Sequence, residues 1–81
     1  MEETGIRIAR QARRHKLGVW RVREALAGAV FDHMDTTKPD MAIYHGTDST
    51  GLAIELGLVP DDKRPGQFVC LHAMPLEWRI R

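Results

Sequence analysis

The stretch Leu52-Ala53-Ile54-Glu55-Leu56-Gly57-Leu58-Val59 decides the fold of this 81-residue chain. Leucine or isoleucine occupies every second position in it, which is typical of a β-strand with one buried face. Two further strands are predicted around it, from Met41 to Gly46 and from Gln67 to Met74. The connections between the three segments are short and rich in turn formers, and this favours an antiparallel meander.

The N-terminal half of the chain has the residue spacing of helices. Small and apolar residues recur three or four apart from Ile8 to Leu17 and predict a basic amphipathic helix, which a short extended piece at residues 5–7 can precede. Gly18 ends this helix, and a second helix is predicted from Val19 to Val30. The polar segment from Phe31 to Pro39 predicts a loop. We therefore expect an α+β fold, with two N-terminal helices packed on a three-stranded antiparallel sheet.

Length and composition predict one soluble domain that spans residues 1–81. Hydrophobic residues make up 43% and charged residues 28% of the chain, which are values for a chain that folds rather than for a disordered one. The single cysteine cannot form an internal disulfide, the N-terminus lacks the pattern of a secretory signal, and no apolar run approaches roughly 18 residues. We expect a cytoplasmic protein without a membrane span.

Positive charge is concentrated near the N-terminus, although the net charge is only +1. Such a cluster is suited to a phosphate backbone or an acidic protein partner, and the alternative is a solvated helix face. The basic residues of the cluster are Arg7, Arg10, Arg13, Arg14, Lys16, Arg21 and Arg23.

The third predicted strand carries a histidine and the cysteine. Regular alternation places Val69, Leu71 and Ala73 on one face and both Cys70 and His72 on the other. If the helices cover the first set, the histidine and the cysteine point to the open face of the sheet. These two side chains could supply two zinc ligands, but no second cysteine or paired ligand motif accompanies them. We expect no metal and no cofactor.

Three segments, in the same order along the chain, resemble a known family. The segment 14–19 with the following helix is similar to that family's turn between two helices. The segment 44–52 is similar to its glycine-bracketed hairpin, and the segment 69–75 is similar to its last core strand. The family is that of the BrnT-like toxins of the RelE/ParE ribonuclease superfamily. The resemblance implies the toxin component of a type II toxin–antitoxin system, a metal-independent endoribonuclease that is neutralised by a cognate antitoxin protein.

Two basic positions of that family are absent from this chain. An arginine follows the hairpin glycine in BrnT-like toxins, whereas Leu52 stands here, and the last strand ends there in serine-alanine-arginine, whereas His72-Ala73-Met74 stands here. The resemblance therefore implies the fold more directly than the catalytic residues.

Cleavage of RNA by its own 2′-hydroxyl needs a base, an acid and a cation for the phosphate, and these requirements select the candidate residues. Histidine suits the acid and base roles near neutral pH, so His72 and then His45 are the catalytic candidates. Arg79 or an N-terminal arginine is the candidate phosphate contact. Glu55 can orient an imidazole across neighbouring strands. The orientation of His45 is left open. Regular alternation places it on the same face as Ile43, so it points inward if Ile43 does, unless a bulge near Gly46 turns it.

The expected RNA is a messenger RNA, either free or on the ribosome. The residues expected to contact it are Arg10, Arg13, Arg14, Lys16 and Trp78. Structural roles for the candidate residues remain open. A histidine in a strand is often a hydrogen-bonded structural residue rather than a catalyst, and Trp78 can close the core. Two alternatives to the ribonuclease also remain: a non-catalytic module that binds RNA or protein through its basic helices, and a helix-turn-helix DNA binder. The oligomeric state, whether homo- or hetero-oligomer, is open.

Overall fold

A five-stranded mixed sheet forms the centre of the computed structural model, which describes residues 5–13 and 17–77. The strands are β1 (Ile6–Ile8), β2 (Val30–Met34), β3 (Ala42–Thr47), β4 (Ala53–Pro60) and β5 (Phe68–Pro75). A 3₁₀ helix (Arg10–Arg13) follows β1, and the helix α1 (Val19–Ala27) precedes β2. The spatial order of the strands is β1-β5-β4-β3-β2. Only β1 is parallel to its neighbour, and the other pairs are antiparallel.

The predicted architecture of two helices on a three-stranded antiparallel sheet is wrong, although the fold is α+β. The three predicted strands are present as an antiparallel meander, and each begins and ends one residue later than predicted. Two edge strands extend this meander on its two sides. The differences therefore lie in the residues before Pro39, where helices and a loop were predicted.

The first predicted helix, Ile8 to Leu17, is replaced by the end of β1 and the 3₁₀ helix within its described part. Ile8, the first residue of the predicted helix, instead pairs with Cys70 of β5, so a partner 62 residues away determines the conformation here. Ala12 of the 3₁₀ helix is fully buried in the core, as its place in the apolar spacing requires. Tertiary pairing overrides local helical spacing at this point.

The second predicted helix ends at Ala27 rather than at Val30, and the predicted loop after it contains β2. Gly28 caps the helix, and the amide of Ala29 donates to the carbonyl of Leu26 at 3.2 Å. Val30 and Phe31 then pair with His45 and Tyr44 of β3. Branched and aromatic side chains favour such a strand, so propensity and pairing agree in this segment.

The hydrophobic core lies between α1 and one face of the sheet. Val22, Ala25 and Leu26 of the helix are fully buried there. The core residues of the two central strands are Ile54, Leu56, Leu58, Cys70 and Ala73. No helix within residues 5–13 and 17–77 has the length and apolar character to cross a membrane.

Gly46 sets how closely α1 approaches the sheet. A Cβ atom at this position would overlap the backbone carbonyl of Ala25, so the helix can lie against β3 only over a glycine. Since the overlapping group is backbone, a side-chain rotation cannot relieve it. Gly46, which lies at the start of the glycine-bracketed hairpin, is therefore a packing residue.

We predict that Gly46→Ala lowers the free energy of unfolding by more than about 2 kcal/mol, because the helix must move off the sheet. Urea denaturation followed by circular dichroism measures this change. Gly28→Ala is the matched control, since a Cβ there meets no atom within 4 Å, and we expect its effect to stay within about 1 kcal/mol. Equal effects of the two substitutions would contradict the close approach of the helix.

Candidate functional site

A β-bulge in β5 decides which side chains reach the face of the sheet opposite α1, here called the second face. Gly57 pairs with His72 and Leu58 pairs with Cys70, so Leu71 is an extra residue between them. The bulge places Cys70 among the core residues that α1 covers and His72 on the second face. The prediction that Cys70 and His72 share a face is therefore wrong.

Glu55 and His72 form a hydrogen-bonded pair on the second face. Oε2 of Glu55 lies 2.9 Å from Nε2 of His72. The glutamate is 2% exposed, whereas 26% of the histidine side chain is accessible. A buried carboxylate needs a compensating partner, and here the partner is an imidazole that reaches solvent. The expected contact of Glu55 with an imidazole on a neighbouring strand is confirmed.

The pair lies in a depression of about 300 Å³ on the second face. The loop between β2 and β3 forms one wall of this depression, and β3, β4 and β5 form its floor. Its lining residues are Gln11, Asp35, Thr37, Lys38, Met41, Ile43, Glu55, Leu71 and His72. Polar and apolar groups thus surround the imidazole of His72.

Asp35 holds the wall loop in one conformation. Its Oδ2 accepts hydrogen bonds from the backbone amide of Thr37 at 3.2 Å, the hydroxyl of Thr37 at 2.9 Å and the backbone amide of Lys38 at 2.8 Å. The amide of Asp35 donates to the carbonyl of Met41 at 2.9 Å, which closes the loop. Lys38 is therefore presented beside the Glu55–His72 pair by an ordered turn.

Sequence reasoning missed Lys38 as a site residue. The signal was present, because Asp35-Thr36-Thr37-Lys38-Pro39 has the composition of a turn that an aspartate side chain caps. The sequence alone does not show that this turn lies over the strand that carries His72. Only the fold of the sheet brings the two together.

A second group of histidines and a carboxylate surrounds Asp32. The carboxylate of Asp32 lies 2.5 Å from Nδ1 of His33 and 3.7 Å from Nδ1 of His45. The hydrogen bond from His33 lowers the pKa of Asp32, and the nearby His45 adds to this effect. The carboxylate is therefore ionised at neutral pH. His33 belongs to β2 and not to a loop.

The orientation of His45 is settled by its strand pairing. It lies directly opposite Glu55 of β4, on the second face together with the buried Ile43. His45 and His72 flank Glu55 from β3 and β5, so two strand spacings, about 10 Å, separate their backbones. Both predicted catalytic histidines thus lie on one face of the sheet, and each has a carboxylate partner.

Two other predicted site residues, Arg10 and Arg13, belong to the 3₁₀ helix. Arg10 is exposed in the 3₁₀ helix, and Arg13 ends the same helix. The predicted contacts at Arg14, Lys16, Trp78 and Arg79 lie outside the described residues.

Metal and thiol chemistry find little support within the described part of the chain. No group of three or more histidine, cysteine or acidic residues there could hold a metal ion. Burial raises the pKa of the Cys70 thiol to about 11, so the sulfur stays protonated near neutral pH. Cys70 is a core residue and not a ligand or a nucleophile.

Asp48 organises the hairpin turn between β3 and β4. Its carboxylate accepts from the amide and hydroxyl of Thr50 at 2.8 and 2.6 Å and from the amide of Leu52 at 3.0 Å. Arg21 of α1 donates to its second oxygen at 3.2 Å. Part of the segment that resembles the family hairpin therefore has a structural role. Its glycine-bracketed turn is tied to the helix through one carboxylate.

Comparisons with protein-family models, with curated proteins and with solved structures find no match for this chain.

We predict that Asp48 contributes to acid unfolding. The hydrogen bonds from Thr50 lower its pKa in the folded state, so its contribution is present above the ordinary aspartate pKa and is lost as pH falls below that value. The free energy of unfolding, measured against pH from 7 to 2, should decline less steeply below pH 4 in Asp48→Asn than in the unmodified protein. The exposed Asp40→Asn is the control. A decline of the same slope in Asp48→Asn and the unmodified protein would contradict this role.

Proposed function

We propose that the protein is a metal-independent endoribonuclease that acts in the cytoplasm as the toxin component of a type II toxin–antitoxin system. The observation that carries the proposal is the hydrogen bond between the buried Glu55 and the accessible His72. A carboxylate fixed behind an imidazole orients the ring, and a defined orientation is a property that a general acid or base needs. The proposed partners are RNA and an antitoxin protein.

The proposed reaction needs no group beyond those on the second face. One imidazole removes the proton of a ribose 2′-hydroxyl, and the oxygen attacks the adjacent phosphorus. The bond to the 5′-oxygen breaks, and the second imidazole protonates this leaving group. The products are a 2′,3′-cyclic phosphate and a 5′-hydroxyl. His72 and His45 are assigned these two roles, since both face the same side of the sheet.

Among the described residues, Lys38 is the one lysine or arginine that lines the depression of His72, which makes it the candidate cation for the phosphate. It lines the same depression as His72, and the Asp35 turn holds its backbone. A cation there offsets the negative charge that builds on the phosphoryl oxygens in the transition state. Arg79, which the sequence suggests for this role, stays a prediction.

Cleavage of a defined single-stranded RNA by the purified protein in excess EDTA tests this proposal. We expect 2′,3′-cyclic phosphate products, a loss of rate of about 100-fold or more in His72→Ala, and a smaller loss in Glu55→Gln. Thr47→Ala is the control, because Thr47 is an exposed residue of β3 that does not line the depression. Thermal melts show whether each variant is folded. Undiminished cleavage by folded His72→Ala would remove His72 from the mechanism.

We expect Lys38→Ala to slow the same reaction about tenfold or more, because the transition-state charge loses its cation. Lys63→Ala is the control, since Lys63 is an exposed loop lysine that does not line the depression of His72. Equal rates for the two lysine variants would exclude Lys38 from phosphate stabilisation.

A non-catalytic module that binds RNA or protein is the second candidate. The near-complete burial of Glu55 favours it, because the pairing with His72 also serves simply to neutralise a carboxylate in the sheet. This candidate predicts RNA binding without cleavage. Charge reversal at the exposed Arg10 should then weaken binding more than loss of His72 does.

A further inference from the structure

The strand β2 forms one edge of the sheet. The strand order ends with β3-β2, so the outer side of β2 has no neighbouring strand in the described part of the chain. Backbone donors and acceptors on such an edge can pair with a strand of another chain. Natural edge strands are commonly protected by lysine, proline or a covering loop.

Apolar side chains are concentrated on this edge strand. Val30, Phe31 and Met34 are 69%, 51% and 47% exposed. They are three of the five large apolar side chains that are exposed in the described residues. Apolar exposure gathered on a strand edge indicates a contact surface rather than scattered exposure.

A second β-bulge lies in β2. Phe31 pairs with Tyr44 and His33 pairs with Ile43, so Asp32 is an extra residue between them. The bulge lets Asp32 and His33 both reach the second face, where their side chains are in contact. Phe31 and Met34 lie on the other face of the sheet, because their partners on β3 face α1.

This arrangement allows a symmetric pairing that a regular strand forbids. Residues opposite each other in an antiparallel pair must lie on one face, and consecutive residues of a regular strand do not. The bulge removes this restriction at Asp32 and His33. A two-fold pairing can then set Asp32 opposite the second copy's His33 and Phe31 opposite the second copy's Met34.

We propose that the chain forms a homodimer through antiparallel pairing of β2 with β2 of a second copy. The side chains favour a second copy, since each Asp32 meets a histidine that can donate a hydrogen bond and each aromatic ring meets a thioether in the same register. The two five-stranded sheets become one continuous sheet. The second copy's His33 then lies beside Asp32, the partner of His45, so each copy completes the charged group of the other. The proposal does not depend on ribonuclease activity.

The interface is small, which sets the conditions of the test. Stable complexes bury about 800 Å² on each partner, and pairing through a five-residue strand buries less. We therefore expect a reversible equilibrium in which the dimer dominates only above about 100 μM. Sedimentation equilibrium of the purified full chain between 10 μM and 1 mM covers this range.

Phe31→Glu should raise the dimer dissociation constant about tenfold or more, because it places two carboxylates in the interface. Phe31→Glu also removes the edge-on ring contact with Tyr44, which can lower the stability of the fold. Met34→Glu is therefore the second variant, because it places a carboxylate in the interface and keeps this ring contact. Phe68→Glu is the matched control, since this phenylalanine is 44% exposed on β5. Two strands, β4 and β3, separate β5 from the proposed interface on β2. The control should dimerise like the unmodified chain.

The charge pairing has its own variants. His33→Asp should weaken the dimer by opposing two aspartates, and the exchange of both residues, Asp32→His with His33→Asp, should restore much of the association. A chain that stays monomeric at 1 mM overturns the proposal. This holds even if β2 is then found to bind a different protein, because the proposed partner is a second copy of this chain. An equal loss of association in Phe31→Glu and Phe68→Glu overturns it as well.

Discussion

The bulge at Leu71 is the constraint on which the candidate site depends. One extra residue in β5 reverses the alternation, so that Cys70 stays in the core beneath α1 and His72 reaches Glu55 on the opposite face. Gly57 leaves the space for this arrangement, because a Cβ there would meet Sδ of Met41 at 2.6 Å and Cβ of His72 at 3.1 Å. The site therefore depends on the bulge in β5, and Gly57 on the neighbouring strand leaves room for the side chains of Met41 and His72.

Buried carboxylates fix the segments around this site. Glu55 is paired with His72, and Asp48 ties the β3–β4 turn to α1 through Arg21. Asp61 accepts from the backbone amide of Lys63 at 3.0 Å, and this bond lowers the pKa of its carboxyl group. The three buried acidic residues of the described chain thus each organise a loop or an imidazole. Their ionised forms have structural partners rather than open solvent.

The parts of the fold that follow from local patterns could be predicted from the sequence. The alternation from Leu52 to Val59 gave the central strand to within one residue, and the turn formers around it gave the antiparallel meander. The contact of Glu55 with an imidazole was also predicted, because regular alternation and the bulged strand both place His72 on the face of Glu55. These predictions use interactions between residues close in sequence or in adjacent elements.

The remaining errors come from interactions that local patterns do not contain. The extended piece predicted at residues 5–7 overlaps β1, but no periodicity in the N-terminal residues signals its parallel pairing with β5. The bulges at Asp32 and Leu71 change which face a side chain reaches, and strict alternation cannot show them. Lys38 joins the site only because its loop crosses the second face.

The imidazole of His72 reports directly whether it is held against Glu55 on the face away from α1. Long-range proton–nitrogen NMR spectra at pH 7 should show a proton on Nε2 of His72 in the folded protein. In Glu55→Gln the resonances of this nitrogen should shift strongly, while those of Cys70 in the core stay in place. An unprotonated Nε2, or a spectrum that Glu55→Gln leaves unchanged, would contradict the account.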